Sequence, residues 1–232
     1  MKTIGLIGGM GWVSTLEYYR LINEETNKRL GGLNAARCIL YSVNYADINE
    51  CNLREDHEGV YTLVLDAAVK LKNAGADFLV LCANTLHQYF ERLNEETNLP
   101  FVHIADATAA EIKKRGLSTI GLLGTKFTME MDFYTTILSD AGITSLVPEK
   151  PERPFIHSTI MDELLKEIIK PEAKQRFLEI INDLEQKGAQ GIVLGCTEIP
   201  LLIKQEDTHL PVFDTLKIHA KAVVDFALQD LK

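Results

Sequence analysis

GADFLVLCANTLH, residues 75–87, and GAQGIVLGCTEIP, residues 188–200, are the two stretches that decide how this chain folds. Laid side by side without gaps, Gly75-Ala76 falls on Gly188-Ala189, Val80-Leu81 on Val193-Leu194, and Ala83 on Cys196. Each stretch is a helix-ending Gly-Ala, a short apolar run, and then small polar residues. That order predicts a buried strand delivering its last residues to a site. The thiols do not superpose: Cys196 answers Ala83, and Cys82 stands one residue away.

Two further pairs lie outside this one. TIGLIG (residues 3–8) returns as TIGLLG (119–124) at an offset of 116, and LPFVH (99–103) returns as LPVFD (210–214) at an offset of 111. With the offset of 113 between the opening stretches, the three pairs keep the same order. They predict an internal duplication in an α/β protein: two pseudo-symmetric halves, each a mostly parallel sheet flanked by helices. The first half is expected over 1–115 with a C-terminal helix of about 215–232, and the second over 116–214. Ligands of open α/β sheets sit beyond the carboxyl ends of the strands. The expected site is therefore the cleft between the halves, lined by residues 8–10, 83–85, 124–128 and 196–197.

The intervening segments follow from periodicity and punctuation. Ser14 reads as an N-cap, with Glu17 completing a capping box, for a helix that stops at Gly31-Gly32. Strands are expected at 37–43, 78–83, 100–104, 143–147 and 191–195. Helices are expected at 58–74, from about 87, and at 106–115, 128–140, 157–170 and 172–187. The polar run 44–57 reads as a loop or short helix, and the proline-rich 148–155 as a connection.

At 232 residues, 46% hydrophobic and 25% charged, the chain can bury a sizeable core. A net charge of −9 argues against non-specific nucleic-acid binding. No apolar run reaches the roughly 20 residues of a membrane-spanning helix, and the start lacks the apolar core of a signal peptide. The four cysteines show no CxxC spacing, so a cytoplasmic setting with reduced thiols is expected.

Gly8-Gly9-Met10-Gly11 is not a dinucleotide fingerprint, because G-x-G-x-x-G is absent and no acidic residue ends the second strand. The backbone N–H groups around Met10 could instead receive a small carboxylate. Asn84, Thr85, Thr125, Thr128 and Thr197 follow strands directly. They suit a substrate with both carboxylate and ammonium groups, or else cap helices. Cys196 lies at a strand-to-helix turn, where a helix N-terminus lowers a thiol pKa from about 8.5 and yields a base or nucleophile. Its other reading is a small buried hydrophobe. Cys82, pointing to the opposite strand face from Ala83, reads as core packing. Lys166 and Arg54 are candidate carboxylate clamps, with surface charge the stronger reading for Arg54; Asn52 joins the candidate substrate-binding residues. The histidines lack metal-site spacing, and no Ser-His-Asp arrangement stands out.

The sequence resembles the cofactor-independent aspartate/glutamate racemase family over essentially its whole length. The marks are IGLIGGMGW with STxxYY (4–19), LCANTLH (81–87), HIADAT (103–108), LLGTKFTM (122–129), GCTEIPLL (195–202) and LPVFDT (210–215). The set looks closest to the broad-specificity members acting on both aspartate and glutamate. The resemblance implies a homodimer with a small amino-acid or dicarboxylate substrate. It also implies no pyridoxal phosphate, metal, nucleotide, nucleic acid or membrane. In that family two cysteines flank the substrate's α-carbon, one removing the α-proton and the other returning a proton to the opposite face. The resemblance puts the second of them at Cys196. The first belongs at position 83, where this chain has Ala83, which has no proton to exchange. Three explanations stand open: a laboratory substitution, a water or neighbouring group on the second face, or one-sided chemistry such as a one-cysteine decarboxylase or isomerase performs. Rotation of Cys82 into the cleft is a fourth, and it requires a one-residue register slip that would disturb the strand. A non-catalytic amino-acid-binding protein is the rival from another class.

Overall fold

Every paired strand among the described residues is parallel, and the strands form two separate sheets. The computed structural model describes residues 1–231. In chain order the first sheet and its helices are β1 (Ile4–Gly8), α1 (Trp12–Leu30), β2 (Cys38–Ser42), α2 (Tyr45–Leu53), α3 (His57–Asn73), β3 (Phe78–Leu81) and α4 (Phe90–Thr97). The second group comprises α5 (Ile104–Lys114), β4 (Thr119–Gly124), α6 (Lys126–Glu130), α7 (Asp132–Asp140), β5 (Thr144–Leu146), α8 (Arg153–Ser158), α9 (Pro171–Gln186), β6 (Ile192–Gly195), α10 (Ile199–Leu202), β7 (Val212–Asp214) and α11 (Thr215–Leu228). The sheets have orders β2-β1-β3 and β5-β4-β6-β7. One compact unit is Met1–His103 with the chain from His219 on; the other is Ile104–Ile218.

Strand register tests the duplication independently of sequence likeness. Gly5 pairs with Leu79, and Gly121 pairs with Ile192. Those pairs interconvert under the sequence offsets of 116 and 113. Leu79 bridges Phe101, and Ile192 pairs with Val212, related by offsets of 113 and 111. The glycines correspond for the same physical reason. A Cβ on Gly5 would lie 2.7 Å from Leu79 Cδ2, and one on Gly121 would lie 2.7 Å from Ile192 Cδ1. Both are far inside van der Waals contact, so an added methyl would force overpacking that typically costs about 1–3 kcal/mol.

Helices cover both faces of each sheet, which is why the strands read as unbroken apolar runs. In the first unit Ile7, Leu79 and Leu81 pack with Val60, Val64, Ala67 and Leu71 of α3. On the alternate face, Phe78 stacks edge-on against Phe226 of α11, with ring centroids 4.8 Å apart. In the second unit Leu123, Ile192 and Leu194 pack with Phe177, Ile180, Ile181 and Leu184 of α9. Ile120, Leu122, Val193 and Phe213 pack on the other side with α5 and α7. Each such side chain contributes about 1.5–3 kcal/mol by leaving water.

Several local expectations are corrected. Gly11, in an extended conformation, caps α1, so Ser14 lies inside the helix. Phe101 makes a single bridge where a strand over 100–104 was expected. The Val102 carbonyl accepts instead from His219 Nε2 at 2.8 Å. The expected helix 128–140 breaks at Met131, whose ψ of 153° is extended. Pro154 lies in the first turn of α8, so helix begins inside the expected 148–155 connection. That helix ends early, through a π turn (Thr159–Glu163) and a 3-10 turn (Leu164–Lys166), at Glu167 in the left-handed region. The unit boundary falls ahead of α5 rather than after residue 115. Ile104, Ala105, Ala109 and Ile112 bury their side chains with Ile120, Leu122, Tyr134 and Leu138 of the second unit. No helix among the described residues is long and apolar enough to cross a membrane.

Candidate active site

In the first unit β1 and β3 are neighbours, so their carboxyl ends lie side by side. The β1 turn is tight. A Cβ on Gly8 would run into the Thr15 side chain, and Gly9, at φ +96°, has Val43 backbone where a Cβ would be. Thr15 Oγ1 accepts the Gly9 N–H at 2.8 Å and donates to the Gly11 carbonyl at 3.2 Å. The Gly9 N–H, a candidate carboxylate donor from sequence, is thus used within the loop. Met10 is buried, and the Met10–Gly11 peptide is cis.

At the end of β3, Cys82 is fully buried and its N–H donates to the Ile7 carbonyl at 3.0 Å. Burial pushes its thiol pKa up. Ladder and burial together hold it away from the position that Ala83 occupies. Ala83 is half-buried, beside the Leu79–Leu81 face. Asn84 is buried, and Thr85 opens a 3-10 turn, Thr85–Tyr89. His87 Nδ1 lies 2.9 Å from the Ala83 carbonyl. A carbonyl only accepts, so Nδ1 carries the proton.

His87 belongs to a buried cluster that sequence spacing did not disclose. Its ring meets those of His103 and His219 edge-on, at centroid distances of 4.6 and 5.5 Å. Tyr18 Oη donates to His219 Nδ1 at 2.8 Å, because His219 Nε2–H is committed to the Val102 carbonyl. Among the described residues no group of three or more His, Cys, Asp or Glu could hold a metal ion. Burial lowers all three histidines: His103 and His219 to about 4, and His87 well below its ordinary value, helped by its two neighbours. The unfolded chain takes up these protons near pH 6.5, whereas the folded chain resists until about pH 4. Stability is therefore expected to be full above pH 6.5 and to fall as pH drops towards 4, by about 3 kcal/mol for each of His103 and His219. Urea unfolding between pH 7.5 and 4.5 checks this, and a flat profile over that range would contradict it.

In the second unit β4 and β6 are neighbours, and glycines let their ends approach. A Cβ on Gly195 would lie 2.9 Å from the Leu123 carbonyl, and one on Gly124 would lie 2.9 Å from Thr128 Cβ. Thr125 caps α6, its hydroxyl accepting from the Thr128 N–H at 3.5 Å. Thr128 is fully buried beneath the two glycines, with its hydroxyl 3.4 Å from that of Thr125.

Cys196 follows β6 and is 8% exposed. Its Sγ donates to Glu198 Oε2 at 2.9 Å, and Thr197 Oγ1 donates to the same oxygen at 3.0 Å. Glu198 is 3% exposed. The expected lowering of the Cys196 pKa is reversed. Burial, then the charge and hydrogen bond of Glu198, push it well above the ordinary thiol range, against the opposing pull of the Thr197 and Glu198 backbone N–H groups. The resting sulfur is a thiol. Glu198, two positions after the strand-end thiol, is not among the candidate site residues read from the sequence.

The remaining candidates stand apart from these strand ends in character. Asn52 is partly exposed on α2. Lys166, in the 3-10 turn Leu164–Lys166, has a largely exposed side chain 4.0 Å from Asp162. Arg54 pairs with Glu50 on the surface, as its charge alone suggested.

The model of the Asp/Glu/hydantoin racemase family matches residues 7–223. A crystal structure of a candidate Asp/Glu racemase from Yersinia pestis is 44% identical with a TM-score of 0.91, covering 99% of this chain and 100% of that one. An aspartate racemase homologue from Pyrococcus horikoshii OT3 is 37% identical with a TM-score of 0.84, covering 98% and 99%. The broad-specificity amino-acid racemase RacX of Bacillus subtilis (strain 168) is 25% identical over 230 residues, 95% of this chain and 96% of that protein.

Proposed function

Because the chain belongs to the Asp/Glu/hydantoin racemase family, a family of isomerases, we propose that it acts at the α-carbon of aspartate or glutamate through a single thiol, Cys196. The observation that carries this is the pair of equivalent strand ends: one ends in a thiol hydrogen-bonded to a buried carboxylate, and the other has Ala83. In this reading Cys196 exchanges a proton with the α-carbon on one face. Solvent supplies the other face, because alanine has no exchangeable proton. The carbanion needs donors preorganised around its carboxylate. Asn84, Thr85, Thr125 and Thr197 are the side chains proposed for this, with the Met10 loop. Thr128 supports Thr125 from beneath, and Asn52 and Lys166 are proposed as outer contacts.

The setting in this reading is the cytoplasm, as a homodimer working without pyridoxal phosphate, metal or nucleotide. Trp12, Leu16 and Tyr19, each more than half exposed at helical spacing on α1, support a partner surface. The second reading, favoured by Ala83, is a one-thiol decarboxylation or isomerisation.

The test is proton exchange in deuterium oxide with L- and D-aspartate and L- and D-glutamate, followed by NMR. One enantiomer is expected to exchange its α-hydrogen faster than it inverts. Exchange of none of the four, with carbon dioxide released from a malonate, would replace racemisation by the second reading.

A further inference from the structure

We infer that His87 is a positioning residue, which holds the turn after β3 in the shape that presents position 83, Asn84 and Thr85 to substrate. The inference rests on the racemase reading and adds to it the group that fixes that turn. Residue 83 is gripped from both sides. Before it, the Cys82 N–H donates to the Ile7 carbonyl at 3.0 Å, continuing the ladder to β1. After it, the Ala83 carbonyl accepts from His87 Nδ1–H at 2.9 Å. The His87 backbone N–H donates to the Asn84 carbonyl at 3.1 Å. Ring and backbone of one residue thus close the turn over Asn84 and Thr85.

The ring is itself held fast. It is 2% exposed, meets the rings of His103 and His219 edge-on, and has its backbone hydrogen-bonded by His103. All these groups belong to the first unit. Packing alone does not account for an imidazole here. Its Nε2 is buried with no hydrogen-bond partner among the described residues. Such an acceptor offsets the stability that the Nδ1–H bond contributes. A phenyl ring would fill the same space with neither the bond nor the bare acceptor. What the imidazole adds to the fold is therefore small, and what it adds to the site is a fixed Ala83 carbonyl. Misplacement by about 1 Å near a reacting centre can cost about 10²-fold.

Stability and activity are therefore expected to separate. His87→Phe lacks the donor and keeps the ring contacts, and should unfold within about 4 °C of the parent. His87→Asn keeps an amide donor close to where Nδ1 stands but leaves a cavity, and should unfold about 5–10 °C lower. With aspartate or glutamate, α-hydrogen exchange is expected to lose about tenfold in kcat/KM in the Phe variant, chiefly through KM. The Asn variant should stay within about threefold of the parent. Activity that follows stability, equal impairment of the two variants, or no loss in the Phe variant overturns the inference. His87→Leu repeats the comparison if the Phe variant does not fold. Failure of both to fold overturns the inference, because the fold itself would then require the imidazole. A parent protein that exchanges no amino acid would sink the racemase reading. The hold on the turn is then judged by amide hydrogen exchange of the peptide over 83–89, read by mass spectrometry. Exchange should quicken more in the variant without the donor than in the Asn variant, and equal protection in both overturns the inference.

Discussion

Replacing Cys196 by alanine is expected to lower α-hydrogen exchange by about 10³-fold or more, within the range general acid–base groups contribute. The fold should persist, because only one sulfur atom is lost at a position 8% exposed, and its strand neighbours Val193 and Leu194 keep their packing on either face of β6. The cost in stability should be about 1 kcal/mol. Exchange is measured by NMR in deuterium oxide on protein whose thermal unfolding matches the parent within a few degrees. Glu198 then sits buried without its thiol donor, while Thr197 Oγ1 still donates to it. Undiminished exchange in this variant would remove Cys196 from the chemistry and the proposed function with it.

The complementary substitution, Ala83→Cys, is expected to raise inversion about 10²-fold, because a second acid/base then replaces solvent on one face. Position 83 is half-buried and packs beside the Leu79–Leu81 face. Chiral chromatography measures inversion, and NMR measures exchange on the same samples. The ratio of inversion to exchange should move towards one. Were neither rate to change, position 83 would not be the partner of Cys196, and the strand equivalence would be structural only.

The duplicated fold was legible because its cause is steric and local. Gly5 and Gly121 are glycines for the same reason, a Leu or Ile side chain on the paired strand, and that constraint leaves matching TIGL motifs. The strand-end location of Ala83 and Cys196 followed from register. Other features were not legible because they depend on residues distant in sequence. LPFVH looks as strand-like as LPVFD, yet the Val102 carbonyl is taken by a ring 117 positions away. The histidine cluster joins residues 87, 103 and 219, whose spacing carries no pattern. The Cys196 thiol was misjudged for an energetic reason. α10 has only four residues and begins three positions after the thiol, whereas the Glu198 carboxylate is 2.9 Å from it. Burial of the sulfur first, and then the Glu198 carboxylate at that distance, outweigh a short helix end.

The hydrogen bond between Cys196 and Glu198 also bears on how long such a protein lasts in a cell exposed to peroxide. Peroxides attack thiolates, and the protonated form reacts slowly. A sulfenic acid at Cys196 needs a thiol to condense with, and Ile104–Ile218, the unit that holds it, contains no second cysteine. Keeping the sulfur protonated between encounters with substrate guards it against an injury that its own unit has no second thiol to repair.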